Sequence, residues 1–269
     1  MIVKLTHDPS VFDRLASAFL QRDPVLNTTV LSATKNRIHG VLTDPAVFLS
    51  VHDAGEVVGT AFLTASDGIV LGGLSTELAP VVGEALIDAR PHAVTGLTDA
   101  ALRYARQTRR PFREVERSRL HKLGLFVAQE ADGTARRASS ADVATLLPLF
   151  GAYRAEVGRA GSAGADRQWL EHRARRGRLW VWVDRGQIAC LAGHQSPAFG
   201  AVRVGPVYTP PQSRGRGYGS ALTAAVTQYL RAAGDEVCLF TDLANPTSNK
   251  IYAAIGFRPV RDFVTYAFS

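Results

Sequence analysis

Two segments about half the chain apart share one pattern, and this repeat most restricts the folds available to the chain. The segments FLSVHDAGEVVGTAFLTA (48–65) and LWVWVDRGQIACLAGHQS (179–196) each read as an apolar strand, a short turn with a glycine, and a second strand. Three residue pairs match at a constant offset: Asp53 with Asp184, Gly55 with Gly186, and Val57 with Ile188. A helix-like segment precedes each hairpin. The sequence therefore predicts two copies of one fold.

The length of 269 residues suits two domains, each large enough to bury its own core. With 46% hydrophobic and 20% charged residues, the composition is typical of a globular protein. The segment EADGTARRASS (130–140) has the small and polar residues of a linker. We therefore predict an N-terminal domain over residues 1–130 and a C-terminal domain over residues 134–269.

The C-terminal half is predicted in more detail. After the hairpin come a strand (AVRVGPVYT, 201–209), a loop rich in arginine and glycine, and a helix (SALTAAVTQYLRAA, 220–233). The strand EVCLFTD (236–242), a short helix and the strand FVTYAF (263–268) follow. Antiparallel strands followed by a strand, helix, strand unit predict a mixed α/β (α+β) fold.

The loop in PQSRGRGYGSAL (211–222) leads directly into the N-terminus of the predicted helix. The first amides of a helix lack intrahelical partners and carry the positive end of the helix dipole. Gly215, Gly217 and Gly219 allow the backbone to bend closely around an anion. This combination predicts a site for a diphosphate.

Three other loop types are less consistent with this segment. An RNA-binding Arg/Gly segment is repeated and of low complexity, whereas this one is a single copy between a strand and a helix. A Walker A loop needs a lysine after its last glycine, and none follows here. A dinucleotide-binding unit would use Asp242 for the ribose, but its third glycine is replaced by Ser220, and too little chain follows.

Two motifs resemble the GNAT superfamily of N-acetyltransferases. Arg214, Gly217 and Gly219 fit the R/QxxGxG/A acyl-CoA signature of that family. NPTSNKIYAAIGF (245–257) is similar to its NxxAxxLYxxxGF signature, matching at four positions: Asn245, Tyr252, Gly256 and Phe257. The resemblance covers residues 134–269.

The resemblance implies two GNAT-like modules, each a mostly antiparallel sheet flanked by helices. In the first half the corresponding stretch, ELAPVVGEALIDA (77–89), has no Arg/Gly loop. The N-terminal module is therefore expected to be degenerate and to have lost the cofactor site. The pairing is similar to tandem bacterial GNAT proteins in which only the C-terminal module keeps the acetyl-CoA loop.

Acetyl-CoA is the donor that the resemblance implies, and Tyr252 is the implied proton donor to the departing thiolate. The backbone at Val207 and Thr209 would meet the acetyl carbonyl and the pantetheine. The expected cofactor-binding residues are Val207, Thr209, Arg214, Gly215, Arg216, Gly217, Tyr218, Gly219, Ser220, Asn245 and Tyr252. Independently of the family, Asn245 before Pro246 is a good helix N-cap, and Gly256 a good helix end.

The general base is not assigned by the sequence. The strand AVRVGPVYT carries no carboxylate, unlike family members that place a glutamate there. Glu156, His194 and Asp242 stay as candidates, beside a water relay. Without a base, a non-catalytic acyl-CoA sensor or scaffold is the alternative to an enzyme.

The formal charge of +7 favours anionic partners, and the phosphates of a cofactor satisfy this preference. Nucleic acid is the less favoured partner, and the basic segments at 103–110 and 172–178 are typical of solvated helix faces. Cys190 and Cys238 lie in apolar runs, and no cysteine or histidine spacing indicates a metal.

The expected acceptor is a small-molecule amine or a peptide or protein amine. The N-terminal residues do not form a signal peptide, and no apolar run is long enough to span a membrane. We therefore expect a cytoplasmic protein without a membrane partner, and either a monomer or a homodimer.

Overall fold

The predicted mixed α/β fold is confirmed in the structure, a computed structural model that describes residues 1–158 and 161–269. The strands are β1 (Ile2–Thr6), β2 (Ala46–Asp53), β3 (Glu56–Thr64), β4 (Gly68–Gly72), β5 (Ala93–Leu97), β6 (Phe112–Leu123), β7 (Thr134–Arg137), β8 (Leu179–Asp184), β9 (Gln187–His194), β10 (Ala201–Tyr208), β11 (Glu236–Asp242) and β12 (Phe257–Phe268). The helices are α1 (Pro9–Leu20), α2 (Thr28–Ile38), α3 (Ala79–Ala85), α4 (Thr98–Gln107), α5 (Val143–Glu156), α6 (Ala163–Arg175), α7 (Tyr218–Ala232) and α8 (Pro246–Ile255).

The chain divides into two compact units. Unit 1 contains Met1–His121, Phe240–Asn249 and Pro259–Ser269, and unit 2 contains Lys122–Leu239 and Lys250–Arg258. These units differ from the predicted sequence domains, 1–130 and 134–269, because most of β12 belongs to unit 1. The predicted domain boundaries, which describe repeated modules, stay a prediction. The segment predicted as a linker contains β7, which pairs with β8, so it is not an open linker throughout.

Unit 1 contains a sheet in the order β1-β2-β3-β4-β5-β12-β6. Neighbouring strands from β1 to β4 are antiparallel, β4 and β5 are parallel, and β12 runs antiparallel to β5. One face packs against α3 and α4 through apolar side chains that include Leu49, Ile69 and Val94. On the other face Phe12 of α1 stacks on Phe48.

Unit 2 contains strands in the order β11-β10-β9-β8-β7. All pairs are antiparallel except β10 with β11. The core on one face includes Leu222 and Val226 of α7, and the core on the other includes Leu146 of α5 and Leu170 of α6. Successive strand residues therefore pack into two apolar cores, one on each face, as in a sheet covered by helices on both sides.

Both predicted hairpins form, and they use the same turn. In the first, Ala54 and Gly55 have φ of 48° and 88°; in the second, Arg185 and Gly186 have φ of 48° and 75°. Positive φ at both central residues is the type I′ geometry that matches the twist of two-residue hairpins. The turns are thus alike in conformation as well as in sequence.

The hairpins also share one irregularity. In the first, His52 pairs with Val57 and Val51 with Gly59, so Val58 is an extra residue. The second hairpin shows the same step, with Ala189 as the extra residue between the pairs Val183–Ile188 and Trp182–Cys190. Bulges are specific local features, so an identical turn followed by an identical bulge supports a common origin of the two hairpins.

Candidate functional site

The strand before the glycine-rich loop separates from its parallel neighbour. β10 pairs with β11 only where Ala201–Arg203 lie beside Glu236–Cys238. Against β9, the register shifts between Val204 and Val207, so two residues of β10 oppose one of β9. The bulge bends β10, and among the described residues the backbone from Val204 to Tyr208 has no strand partner on the β11 side. An extended ligand can therefore bind this stretch as a strand would.

The predicted loop and helix follow β10 directly. Gly215 has φ of 77°, and Gly217, the N-cap of α7, has φ of 78° and ψ of −3°. A residue with a Cβ is strained in this left-handed conformation, which explains the glycines. In the part of the chain that the structure describes, no side chain caps the N-terminus of this 15-residue helix. Its first amides are therefore available to an anion.

Gly219 lies in the first turn of α7, against Thr209. A Cβ at Gly219 would lie 3.1 Å from Thr209 Oγ1. That hydroxyl donates to the sulfur of Cys190 at 3.2 Å, which fixes its position. Burial raises the pKa of the Cys190 thiol to about 12, so the thiol stays protonated. A side chain at position 219 would therefore be crowded against Thr209, whereas no positive φ restricts this position.

Arg214 is held at the start of the loop by α5. Its Nη2 donates to both oxygens of Glu156, at 2.9 and 2.7 Å, and its Nε donates to Thr209 O at 2.9 Å. Both side chains of the ion pair are about half exposed. An exposed pair of this kind contributes about 0–1 kcal/mol. Arg214 can therefore exchange Glu156 for another anion at little cost.

Arg216 and Tyr218 are both held by Asp184, the last residue of β8. The Tyr218 hydroxyl donates to Asp184 Oδ2 at 2.6 Å, and Arg216 Nη2 donates to the same oxygen at 3.0 Å. Ser220, further along α7, donates to Gln129 Oε1 at 3.2 Å. Arg216 and the start of α7 are therefore held by side chains from outside the loop.

Tyr252 lies half-buried on α8 and packs with Val207 and Ile251 against the core of unit 2. Its ring contacts that of Phe257, with centroids 6.2 Å apart. Burial raises the pKa of Tyr252, and Cys190 and Tyr153 add to the shift. The hydroxyl therefore keeps its proton at neutral pH. Of the predicted site residues, Val207, Tyr218 and Tyr252 thus share one apolar core in unit 2.

Asn245 has the capping role predicted for it. Its Oδ1 accepts from Ser248 N at 3.1 Å, at the start of α8, and Gly256 ends that helix with φ of 107°. Asn245 belongs to unit 1. Its predicted contact with the cofactor stays a prediction.

The three candidate bases lie in different surroundings. Glu156 is paired with Arg214. Asp242 is exposed, and its Oδ1 accepts from Ala244 N at 2.8 Å in the turn before α8. Burial, and then the nearby arginines, lower the pKa of His194 to about 4, and its Nδ1 is 2.9 Å from Gln195 O. None of the three lies on the unpaired stretch of β10.

The basic segments, expected to lie on solvated helix faces, also contain arginines that pack inside the fold. Arg173 is buried, stacks over the Trp169 ring at 4.3 Å and donates to Gln195 Oε1 at 2.8 Å. Arg110 donates to Pro91 O at 2.7 Å and lies 4.7 Å from the centroid of the Phe268 ring. Sequence alone does not show which arginine of a run turns inward.

Three residues that hold the loop were not among the predicted binding residues: Asp184, Gln129 and Glu156. Glu156 was considered only as a base. Asp184 was visible only as part of the hairpin repeat, and nothing in the local sequence links it to a loop more than 30 residues later.

Within the described ranges, no helix has the length and apolar character needed to cross a membrane. Over the same part of the chain, no group of three or more histidine, cysteine, aspartate or glutamate side chains is arranged to hold a metal ion. The expectation that the protein needs no metal stays a prediction.

Comparison with known proteins supports the resemblance to the GNAT superfamily. Residues 185–266 match the family model described as FR47-like protein. No curated protein matches the sequence. The match to the family model lies in the same part of the chain as the two sequence motifs.

The chain is similar in structure to several solved acetyltransferases. A GNAT-family acetyltransferase from Colwellia psychrerythraea has a TM-score of 0.67 at 14% identity, with 100% of each chain covered. A GCN5-related N-acetyltransferase from Sphaerobacter thermophilus has a TM-score of 0.63 at 18% identity, covering 98% of this chain and 94% of that one. A tandem GNAT protein from the clavulanic acid biosynthesis pathway has a TM-score of 0.62 at 14% identity, with 98% of each chain covered. The chain has the fold of these proteins.

Proposed function

We propose that this chain, which has the GNAT fold, is an N-acetyltransferase that transfers an acetyl group from acetyl-CoA to a primary amine. The observation that carries the proposal is the separation of β10 from β11 after Arg203, directly before the uncapped N-terminus of α7. In the first unit, the corresponding parallel strands stay paired. Residues 134–269 would form the catalytic module and residues 1–130 a degenerate one.

The residues present fit an acyl-CoA. Its diphosphate would bind the free amides between Gly215 and Ser220, where the helix dipole favours negative charge. The amide-rich pantetheine would extend along the unpaired backbone of β10, past Val207 and Thr209. Bound there, acetyl-CoA supplies an activated thioester carbonyl. The contacts of Arg214, Arg216, Tyr218 and Asn245 with the phosphates are part of the same proposal.

Tyr252 is the proposed proton donor to the departing thiolate. Its hydroxyl stays protonated because burial raises its pKa. Tyr252 packs against the same apolar core as Val207, a residue of the stretch of β10 where the thioester would bind. A positioned general acid of this kind contributes typically 10² to 10⁴ in rate.

The acceptor amine must lose a proton before it attacks. For an amine with a pKa of about 10.4, the neutral form costs roughly 4–5 kcal/mol at pH 7. No carboxylate lies between Val204 and Tyr208, and we leave the base unassigned. A water relay, or desolvation of the amine, would meet this requirement.

A second function, an acyl-CoA sensor without turnover, is favoured by the same lack of a carboxylate on β10. Both functions need the cofactor site, so binding does not separate them. Turnover separates them, since a sensor releases no thiol in the presence of amines.

Thermal unfolding with and without acetyl-CoA tests the shared claim. Acetyl-CoA at about 100 times its Kd adds roughly 2.7 kcal/mol to the free energy of unfolding. The Tm should rise with acetyl-CoA and with CoA. No shift with acetyl-CoA, CoA or longer acyl-CoAs would overturn the proposal. Thiol release with a panel of small and peptide amines then tests catalysis and identifies the acceptor class.

A further inference from the structure

Asp184 connects the end of a rigid hairpin to the loop before α7. Its side chain is only 11% exposed, and one oxygen accepts hydrogen bonds from both Tyr218 and Arg216. These two residues flank Gly217, the left-handed N-cap of α7. The carboxylate therefore holds the chain on both sides of a glycine in the left-handed conformation.

The groups that Asp184 contacts are themselves fixed. The Tyr218 ring is buried and lies 6.5 Å from the Trp182 ring in a stacked arrangement. The guanidinium of Arg216 lies over the Tyr218 ring at 4.9 Å. Asp184, Arg216 and Tyr218 thus form one compact group, which we call the Asp184 clamp.

The clamp is electrostatically consistent with an anion site nearby. The hydrogen bond from Tyr218, and then the charge of Arg216, lower the pKa of Asp184, so it stays ionised at neutral pH. Arg216 balances this charge, and the clamp therefore does not place an uncompensated negative charge beside the amides of α7. Its main effect would be to restrict the loop.

Unit 1 contains the same aspartate without the clamp. Asp53 precedes the same type I′ turn at the end of β2, and its side chain is exposed. Among the described residues, no hydrogen bond or ion pair involves the Asp53 side chain. The hairpin itself therefore does not need the aspartate to be buried and bonded.

We propose that Asp184 is a positioning residue for the cofactor: it holds Arg216 and Tyr218 so that the amides around Gly217 face the diphosphate before it binds. This inference rests on the proposed function. A loop ordered in advance loses less conformational entropy on binding. The clamp should therefore strengthen the binding of acetyl-CoA and leave the rate of the chemical step unchanged.

The test compares Asp184→Ala, Asp184→Asn and Asp53→Ala with the wild type. Calorimetric titration gives the Kd for acetyl-CoA, and steady-state kinetics give KM and kcat. For Asp184→Ala we expect Kd and KM for acetyl-CoA to rise about tenfold, with kcat at saturation unchanged. Asp184→Asn, which keeps one acceptor oxygen, should restore part of the affinity. Asp53→Ala should bind as the wild type does.

The outcomes separate this inference from the proposed function. If the wild type does not bind acetyl-CoA, both are wrong. If the wild type binds and Asp184→Ala binds equally well or more tightly, only the clamp is wrong. Should Asp184→Ala not fold, Tyr218→Phe removes one hydrogen bond and keeps the buried ring; unchanged affinity in that variant would overturn the inference in the same way.

Discussion

In unit 1, β4 stays paired with β5 up to its last residue, Gly72, whereas in unit 2 β10 leaves β11 after Arg203. The helix that follows also differs, since α3 has 7 residues and α7 has 15. Yet the hairpins before these strands share a turn and a bulge. The difference teaches that the hairpin is a shared scaffold, and that separated strands and a longer helix are what the proposed cofactor site adds to it.

Of the substitutions predicted here, Tyr252→Phe should lower the rate most. It removes one hydroxyl oxygen from unit 2, and the matched tyrosine of unit 1 provides the comparison. Tyr252 is the seventh residue of α8, and Tyr104 is the seventh residue of α4 in unit 1. Loss of the Tyr252 hydroxyl should lower kcat by about 10² or more, with the Kd for acetyl-CoA unchanged. Tyr104→Phe is the matched control and should keep kcat. Equal rates for Tyr252→Phe and wild type would show that another group donates the proton.

Acid should destabilise the fold through His194 of unit 2. The pKa of this buried histidine falls from 6.5 to about 4 on folding, so the unfolded chain binds more protons between these values. Stability is therefore present above pH 6.5 and is lost as pH falls toward 4, by about 3 kcal/mol.

Denaturant unfolding of His194→Gln at pH 7 and pH 4.5 measures this loss. The variant should lose less stability on acidification than the wild type does. His121→Gln provides the comparison. His121 lies in unit 1 and is also a buried histidine with a lowered pKa, so the pH dependence of stability can be compared between the two variants. An unchanged pH slope in His194→Gln would assign the loss of stability to other groups.

Gly219→Val should weaken acetyl-CoA binding by at least about tenfold, a cost of 1.4 kcal/mol. The new side chain would meet Thr209 and enter the space at the start of α7. Gly83→Val in α3 is the control, because a Cβ there would lie 3.1 Å from the movable end of Gln107. Calorimetric titration with acetyl-CoA should show weaker binding for Gly219→Val, in unit 2, and unchanged binding for Gly83→Val, in unit 1. A normal Kd for Gly219→Val would place the diphosphate elsewhere.

Glu156→Gln should have the smallest effect. The exposed pair with Arg214 contributes about 0–1 kcal/mol, so the Tm should change little. If Glu156 is not the base, kcat for saturating amine should stay near that of the wild type across neutral pH. A large loss of kcat with unchanged cofactor affinity would instead identify Glu156 as the base.

Local patterns predicted the features that depend on neighbouring residues. The hairpins, the helix after the loop and the cap at Asn245 all follow from periodicity and turn chemistry. The start of α7 was predicted at Ser220, and the helix begins at Tyr218 because Gly217 serves as its N-cap. The helix α2 was not predicted, since its threonines and polar residues give no clear apolar face.

Features that depend on distant residues could not be read from the sequence. The side chains of Thr95 and Thr265 bond across β5 and β12, although they are 170 residues apart. The clamp of Asp184 on the loop is likewise a contact between elements. The separation of β10 from β11 depends on a bulge that neither strand shows in its apolar pattern. The loop was therefore predictable, and the open backbone that leads to it was not.

The pairing of β12 with β5 has a consequence for how the protein is made. Until residues 257–268 leave the ribosome, β5 is an open edge in a unit whose other strands are already synthesised, and open edges are prone to wrong pairing. The sheet of unit 1 therefore stays incomplete until residues 257–268 have been synthesised. Residues 1–130 expressed alone therefore lack the strand that pairs with β5, and such a fragment should be supplied with residues 257–268 as a peptide or a fusion.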